Sequence, residues 1–333
     1  MNAATLRFLG IVVLVLVAAL LLVESGDDSE LPESGTRLMP EFRAVANDVD
    51  RLVVTRAGKP PLEIARQEDG WRVPDRDGYP ADIAHVRNVL LAMADAAVVE
   101  AKTANPELHS QLGVDAPTGE LSKGVLITAS AGEQRFEVIF GNAAQGSYRY
   151  ARIASEDQSW LIDQNPDIPT DVGDWLDANI IDIDSSDVRS VTISHPDADT
   201  IAVSKAARED VNFEVADIPE GRELSYSTVA NGIGGALNDL DLDDVRRAAE
   251  ADETAVVTVF ETFDGVKITA TTVKSDDGNW VGFAVEATGD DADRAAEIGA
   301  RVHGWQYRIA DYKANLLTRR WDDILKALPA EAE

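Results

Sequence analysis

An internal recurrence constrains this chain more than any other feature. Segments 49–56 (VDRLVVTR) and 188–195 (VRSVTISH) alternate in the same phase, at a shift of 139 residues. At that shift Leu62 and Ile64 fall on Ile201 and Val203. With a slightly longer loop in the second copy, Trp71 and Val73 fall on Phe213 and Val215. A further slip of one residue sets Val86, Leu90, Ala94 and Ala97 on Val229, Ile233, Leu237 and Leu240, with Asn88 on Asn231. The first pieces alternate at period two between turn residues such as Gly58-Lys59-Pro60-Pro61 and Asp69-Gly70, as strands do. The last set follows the spacing of one face of an amphipathic helix.

More alternating runs follow each predicted helix: 124–130, 134–140, 148–153 and 159–163 in the first copy, and 255–263, 267–274 and 279–287 in the second. Short turns such as Asp264-Gly265 join them, which favours antiparallel hairpins with a helix over one face. Asp290 and Asp291 can cap a helix to about Val302, and 312–328 carries Leu316, Leu317, Trp321, Ile324 and Leu328 on one side. The expected fold class is therefore α+β: two tandem related units of mostly antiparallel sheet, each with one covering helix, then a C-terminal helical cap. The units are expected at 47–165 and 166–287, with the cap at 288–333.

The N-terminus is of a different kind. Phe8 to Val23 is unbroken apolar sequence, and with Leu6 and a snorkelling Arg7 it reaches spanning length. A cleaved signal peptide would share this layout, but the run ends LLVESGDD with no A-x-A site. The expectation is a cytoplasmic stub at 1–5 and an inner-membrane anchor at 6–23, bounded by Leu6, Arg7, Phe8 and Val23. An acidic tether at 24–46 would follow. Arg7 before the run and Glu24, Asp27, Asp28 and Glu30 after it place the bulk of the chain in the periplasm.

Composition removes several function classes. The chain has 60 Asp plus Glu against 30 Lys plus Arg, a formal net charge of -30, and no Cys. That field disfavours nucleic acid as a partner, and the missing thiols exclude disulfides, Cys-ligated metals and thiol catalysis. His85, His109, His195 and His303 show no metal-ligand spacing, and no nucleophile motif is present. No cofactor is implied. Asn231-Gly-Ile-Gly-Gly-Ala236 lacks the G-x-G-x-x-G pattern; its glycines are better read as allowing close approach. The six tryptophans are candidates for a sugar-stacking platform, though Trp71 sits in core phase.

One acidic run is a calcium candidate. With Asp239 at position one, Asp241, Asp243 and Glu250 fall at positions three, five and twelve of a calcium loop. Position six is Asp244 where the loop wants Gly, and Leu240 and Leu242 look like core residues. Acids on the wet side of a helix end would give the same letters.

Five segments in order, 71–99, 103–114, 141–153, 174–193 and 304–317, resemble a bacterial family of membrane-anchored periplasmic domains of unknown function. Its members are often encoded beside gliding-motility-type ABC transporter auxiliary components. The resemblance implies an accessory, non-catalytic subunit of an envelope transport complex, with an ABC permease or periplasmic auxiliary protein as partner. It carries no assigned site residues. The alternative is a periplasmic binding module, holding an envelope glycan, lipid or small solute in a cleft between the units.

Overall fold

The computed structural model describes residues 33–249, 253–289 and 291–326. The fold is α+β, built on two nine-stranded sheets in which every strand pair is antiparallel. Helix α1 (Pro40–Val45) leads into the first sheet. That sheet comprises β1 (Arg51–Thr55), β2 (Leu62–Gln67), β3 (Gly70–Val73), β4 (Tyr79–Pro80), β5 (Val98–Ala101), β6 (Val125–Ala131), β7 (Gln134–Ala143), β8 (Arg149–Ile153) and β9 (Ser159–Ile162). Helix α2 (Ile83–Asp95) lies between β4 and β5, and the one-turn α3 (His109–Leu112) follows β5. The spatial order is β4-β3-β2-β1-β6-β7-β8-β9-β5.

The second sheet holds β10 (Asn179–Ile181), β11 (Val188–Ser194), β12 (Thr200–Ser204), β13 (Glu214–Val215), β14 (Leu240–Arg247), β15 (Val256–Thr262), β16 (Val266–Ser275), β17 (Gly278–Ala287) and β18 (Trp305–Ile309). Its helices are α4 (Asn231–Gly234), α5 (Ala292–Val302), α6 (Asp311–Leu317) and α7 (Trp321–Ile324). From its far edge the order is β13-β12-β11-β15-β16-β17-β18-β14-β10. Without the edge strands β4 and β10, the two sheets have one topology. Three strands lead to a helix, a fourth strand takes the far edge, and four more return between it and the first.

Local sequence explains the elements. Asp82 caps α2, its carboxylate accepting the Ala84 and His85 amides at 2.7 and 3.3 Å, and Val86, Val89 and Met93 enter the core from one face. One hydrophobic cluster runs through both sheets, from Leu38 to Leu325, with Trp175, Phe42 and Tyr307 among its largest fully buried members.

Three expectations are corrected. Residues 35–46 are not tether. Leu38, Met39 and Phe42 are buried, and Leu38 donates its amide to the Ala96 carbonyl at 2.8 Å, so this stretch packs through three apolar residues. The helix expected through Leu240 is only α4, because Gly232, Gly234 and Gly235 lower helix propensity and the Leu240/Leu242 alternation pairs as β14. The C-terminal cap is not purely helical. β18 sits inside the sheet between β14 and β17, and the predicted 312–328 helix breaks after Leu317, where the Asp323 carboxylate accepts the Arg320 amide at 2.9 Å and starts α7. Leu6, Arg7, Phe8 and Val23 lie outside the described residues. Among the described residues no helix is long and apolar enough to cross a membrane.

Candidate functional site at the junction of the two sheets

The connection Asp167–Asp177 (DIPTDVGDWLD) carries the chain from one sheet to the other. It is pinned to the first sheet by a bridge between Ala81 and Leu176, with Asp82 N donating to Trp175 O at 2.8 Å and Asp177 N to Pro80 O at 3.0 Å. The fully buried Trp175 donates its indole N–H to the Pro169 carbonyl at 3.2 Å. Gly173 is required here. A Cβ at that position would come within 2.1 Å of the Asp243 carbonyl oxygen on β14.

Side chains from both sheets close the junction. Arg76 grips Asp244 with two parallel bonds, Nε to Oδ1 at 2.6 Å and Nη2 to Oδ2 at 3.2 Å. The Tyr79 ring meets Trp305 edge-on at 5.0 Å and Tyr307 at 6.1 Å, and its hydroxyl donates to the Asp177 carbonyl at 3.2 Å. Burial, then the charge of Asp177, pushes the Tyr79 phenol up to about 12, and burial pushes Tyr307 up as well. Both hydroxyls stay protonated, as donors must. Arg247 stacks over Trp305 at 3.8 Å while donating to the Asp77 carbonyl at 3.1 Å.

Beside this seam lies a cavity of about 500 Å³. Val54, Pro60, Pro61 and Leu62 of the first hairpin and Val172 and Trp175 of the connection give it a mainly apolar wall. Arg56, Lys59, Arg76, Asp75 and Asp171 supply the charges. Lys59 is committed to Asp171 and the Thr170 carbonyl, both at 3.0 Å, and Arg76 to Asp244. Arg56 is different. Its Nη2 donates to the carbonyls of Ile168 at 2.5 Å and Pro169 at 3.1 Å, but its buried Nε has no partner, and no carboxylate of the described residues lies within ion-pairing distance. Burial pulls its guanidinium down from the ordinary value, partly offset by Asp171, and it remains a cation. Arg149 is pulled down by burial and by the charge of Arg56. A half-buried cation that no described carboxylate neutralises, on a mainly apolar wall, is suited to an anionic group carrying an apolar body.

Two hollows adjoin the same connection. In one, His85 Nδ1 lies 2.8 Å from Asp82 and Nε2 3.6 Å from Asp167, with the ring against Trp175. The other, about 560 Å³, is lined by Asp171, Asp174, Asp243, Asp276, Asp277 and Asp311 with Arg308. Among the described residues no group of three His, Cys, Asp or Glu side chains is placed to hold a metal ion.

The calcium candidates are not set out as a loop. Asp241 and Asp243 stand on strand β14, Asp241 opposite Asn179, while Asp239 precedes the strand with φ 45° and Glu250 lies outside the described residues. The four histidines are dispersed: His109 bonds to the Asp157 carbonyl at 2.8 Å, His195 to the Arg319 carbonyl at 3.0 Å, and His303 ends α5. Trp160, Trp175 and Trp280 are buried and Trp71, Trp305 and Trp321 half-buried, so none is an open stacking platform. Gly234 does permit close approach, with the Phe213 ring 2.1 Å from where a Cβ would be. Arg56 and Gly173 were not singled out by the sequence. The one local hint was the Gly-Lys-Pro-Pro turn, which closes the β1–β2 hairpin just after Arg56.

Fold and cavity together define a two-sheet α+β protein with an amphipathic pocket at its internal junction. The chain belongs to the family described as Domain of unknown function (DUF4340), whose model matches residues 71–292. The match takes in parts of both sheets but leaves β1, β2 and β18 outside. Four of the five resembling segments fall within it, and 304–317 does not. A search of curated proteins and a search of solved structures each gave no match.

Proposed function

We propose that this protein is a membrane-tethered periplasmic binding module that takes a small amphipathic anion, a carboxylate or phosphate with an apolar body, in the junction pocket. The observation that carries the reading is Arg56: a half-buried guanidinium that no carboxylate of the described residues pairs, on the wall of a mainly apolar cavity of about 500 Å³. That volume falls in the range of roughly 300–1,000 Å³ usual for small-molecule sites. The shared strand order of the two sheets supports descent of both units from one duplicated ancestor, with the pocket created where they join. The apolar run before residue 24 supports the tether, and the family resemblance supports a place beside an ABC-type transporter as its accessory subunit.

The test is a thermal-shift titration of the full-length protein with octanoate and octyl phosphate. Stabilisation that saturates, and is lost in Arg56→Gln and in the cavity-filling Val172→Phe, is expected. A flat response to both probes overturns the ligand reading. Crosslinking in native membranes then examines the accessory role, which fails if no permease is recovered.

A further inference from the structure

Because the two sheets share a strand order, positions on one have counterparts on the other, and one face differs between them. In the second sheet Ala202, Thr192, Val259, Thr269 and Ala284 form a row across β12, β11, β15, β16 and β17. Val257, Thr271 and Gly282 form the next row, and Val273 extends it along β16. Residues directly paired in an antiparallel ladder direct their side chains to the same face. Helices α5 and α6 lie on the opposite face, where Gly299 sits against Val285 and the Leu317 carbonyl accepts the Thr258 hydroxyl.

The first sheet shows what such a face otherwise carries. Following the ladder outward from β1, Ala202 stands where Glu63 does, Thr269 where Glu137 does and Gly282 where Arg152 does. The first face is also covered in part. Arg152 Nε donates to the Val114 carbonyl at 3.0 Å, and a Cβ on Gly141 would meet the Leu112 carbonyl, so Ile139 and Arg152 are buried. That cover belongs to the long link 102–124 between β5 and β6. The equivalent link between β14 and β15 is the short stretch 248–255. Thr271 and Gly282, at the places of Ile139 and Arg152, stay only half-buried, and Val257, Val259 and Val273 lie outside the hydrophobic cluster.

Charge and cover are thus missing together, on a chain whose net charge is -30. Exposure to water does not require this, since the first sheet carries charge at the same positions. A basic partner would be drawn by carboxylates, and here they are lacking. A second copy fits: it presents an equally uncharged face, and two acidic chains meet at least cost where neither offers a carboxylate. The adjoining row is neutralised within each copy, by Arg189–Glu261 at 2.9 Å and Lys267–Glu286 at 3.1 Å. Small and β-branched side chains on two such faces can interdigitate as stacked sheets do, about 10 Å apart. Five strands by about six residues give a footprint of roughly 24 by 20 Å, so a pair would bury about 1,000 Å², the low end for a specific interface.

We propose that two copies of this chain associate through the uncovered face of the second sheet, stacked about a two-fold axis. The test is sedimentation of the full-length protein in a density-matched detergent. A reversible dimer with a Kd of roughly 1–100 μM is expected. The double variant Ala202→Glu/Thr269→Glu puts back the carboxylates that the first sheet carries at these places, so it should keep the parent's melting curve while weakening the dimer at least tenfold. The chain has no Cys, so Val259→Cys, at the centre of the face, should be crosslinked to dimer by a short bis-maleimide, and Ser130→Cys on the first sheet should not. A monomer at every concentration up to about 500 μM, above the weak end of that range, overturns the proposal. A dimer unmoved by the double variant, or equal crosslinking at both cysteines, overturns it as well, because the copies would then meet elsewhere.

Discussion

Replacing Tyr79 measures how firmly the two sheets are joined. The residue sits on the two-residue strand β4 of the first sheet, is 3% exposed, and sends its ring between Trp305 and Tyr307 of the second. Tyr79→Phe keeps the ring and removes the hydroxyl with its bond to the Asp177 carbonyl, a loss of about 1 kcal/mol. Tyr79→Ala removes the ring too, and large-aromatic truncations in a core cost about 3–5 kcal/mol. In a chain of this size each kcal/mol lowers Tm by roughly 2 °C, so the two variants should melt about 2 °C and about 6–10 °C below the parent. Differential scanning calorimetry is the assay. The alanine variant should also broaden or split the transition, because the ring is part of the contact that makes the sheets unfold together. A Tyr79→Ala protein melting within about 2 °C of the parent in one sharp transition would refute a junction built on this side chain.

The phenol gives a pH test as well. Its folded value of about 12 stands above the ordinary 10.0, so the folded state holds the proton more tightly. The resulting stability is fully present below pH 10 and is lost as pH rises toward 12. Tm should therefore fall more steeply across that window for the parent than for Tyr79→Phe, as followed by circular dichroism. The Arg76–Asp244 pair is about three-quarters buried on both sides, and a double-mutant cycle with alanine should return a coupling of about 1–2 kcal/mol by urea unfolding, between exposed and fully buried pairs. Gly173→Ala forces a methyl group toward the Asp243 carbonyl, and should cost about 1–3 kcal/mol in the same assay while weakening any ligand of the junction pocket.

Much of the sheet framework was legible because hairpin strands alternate in a half-buried setting. The runs that became β6 to β9 and β15 to β17 carry that pattern between clear turns. β14 was not legible for a definite reason. Val229, Ile233, Leu237 and Leu240 happen to keep helical spacing, and all four are buried, yet three glycines weaken the helix and the last leucine belongs to a strand. The same alternation of Asp and Leu that suggested a calcium loop is the in-and-out pattern of that strand. At 35–46, average polarity concealed Leu38, Met39 and Phe42, which suffice to dock the segment.

The candidate site was the least legible part. The junction pocket is assembled from residues 54–62, 75–76 and 169–175, which only the fold brings together. Arg56 in sequence is one arginine at the end of a strand. Its distinguishing property, a half-buried cation that no described carboxylate pairs, exists only in the fold, where Ile168 and Pro169 take up Nη2.

The most direct test of the central claim is calorimetric titration of the full-length protein with octyl phosphate, run in parallel on the parent and on Arg56→Gln. Saturable binding to the parent with at least a tenfold loss in the variant is the predicted result. No binding to either protein, or equal binding to both, would contradict a junction pocket organised around Arg56.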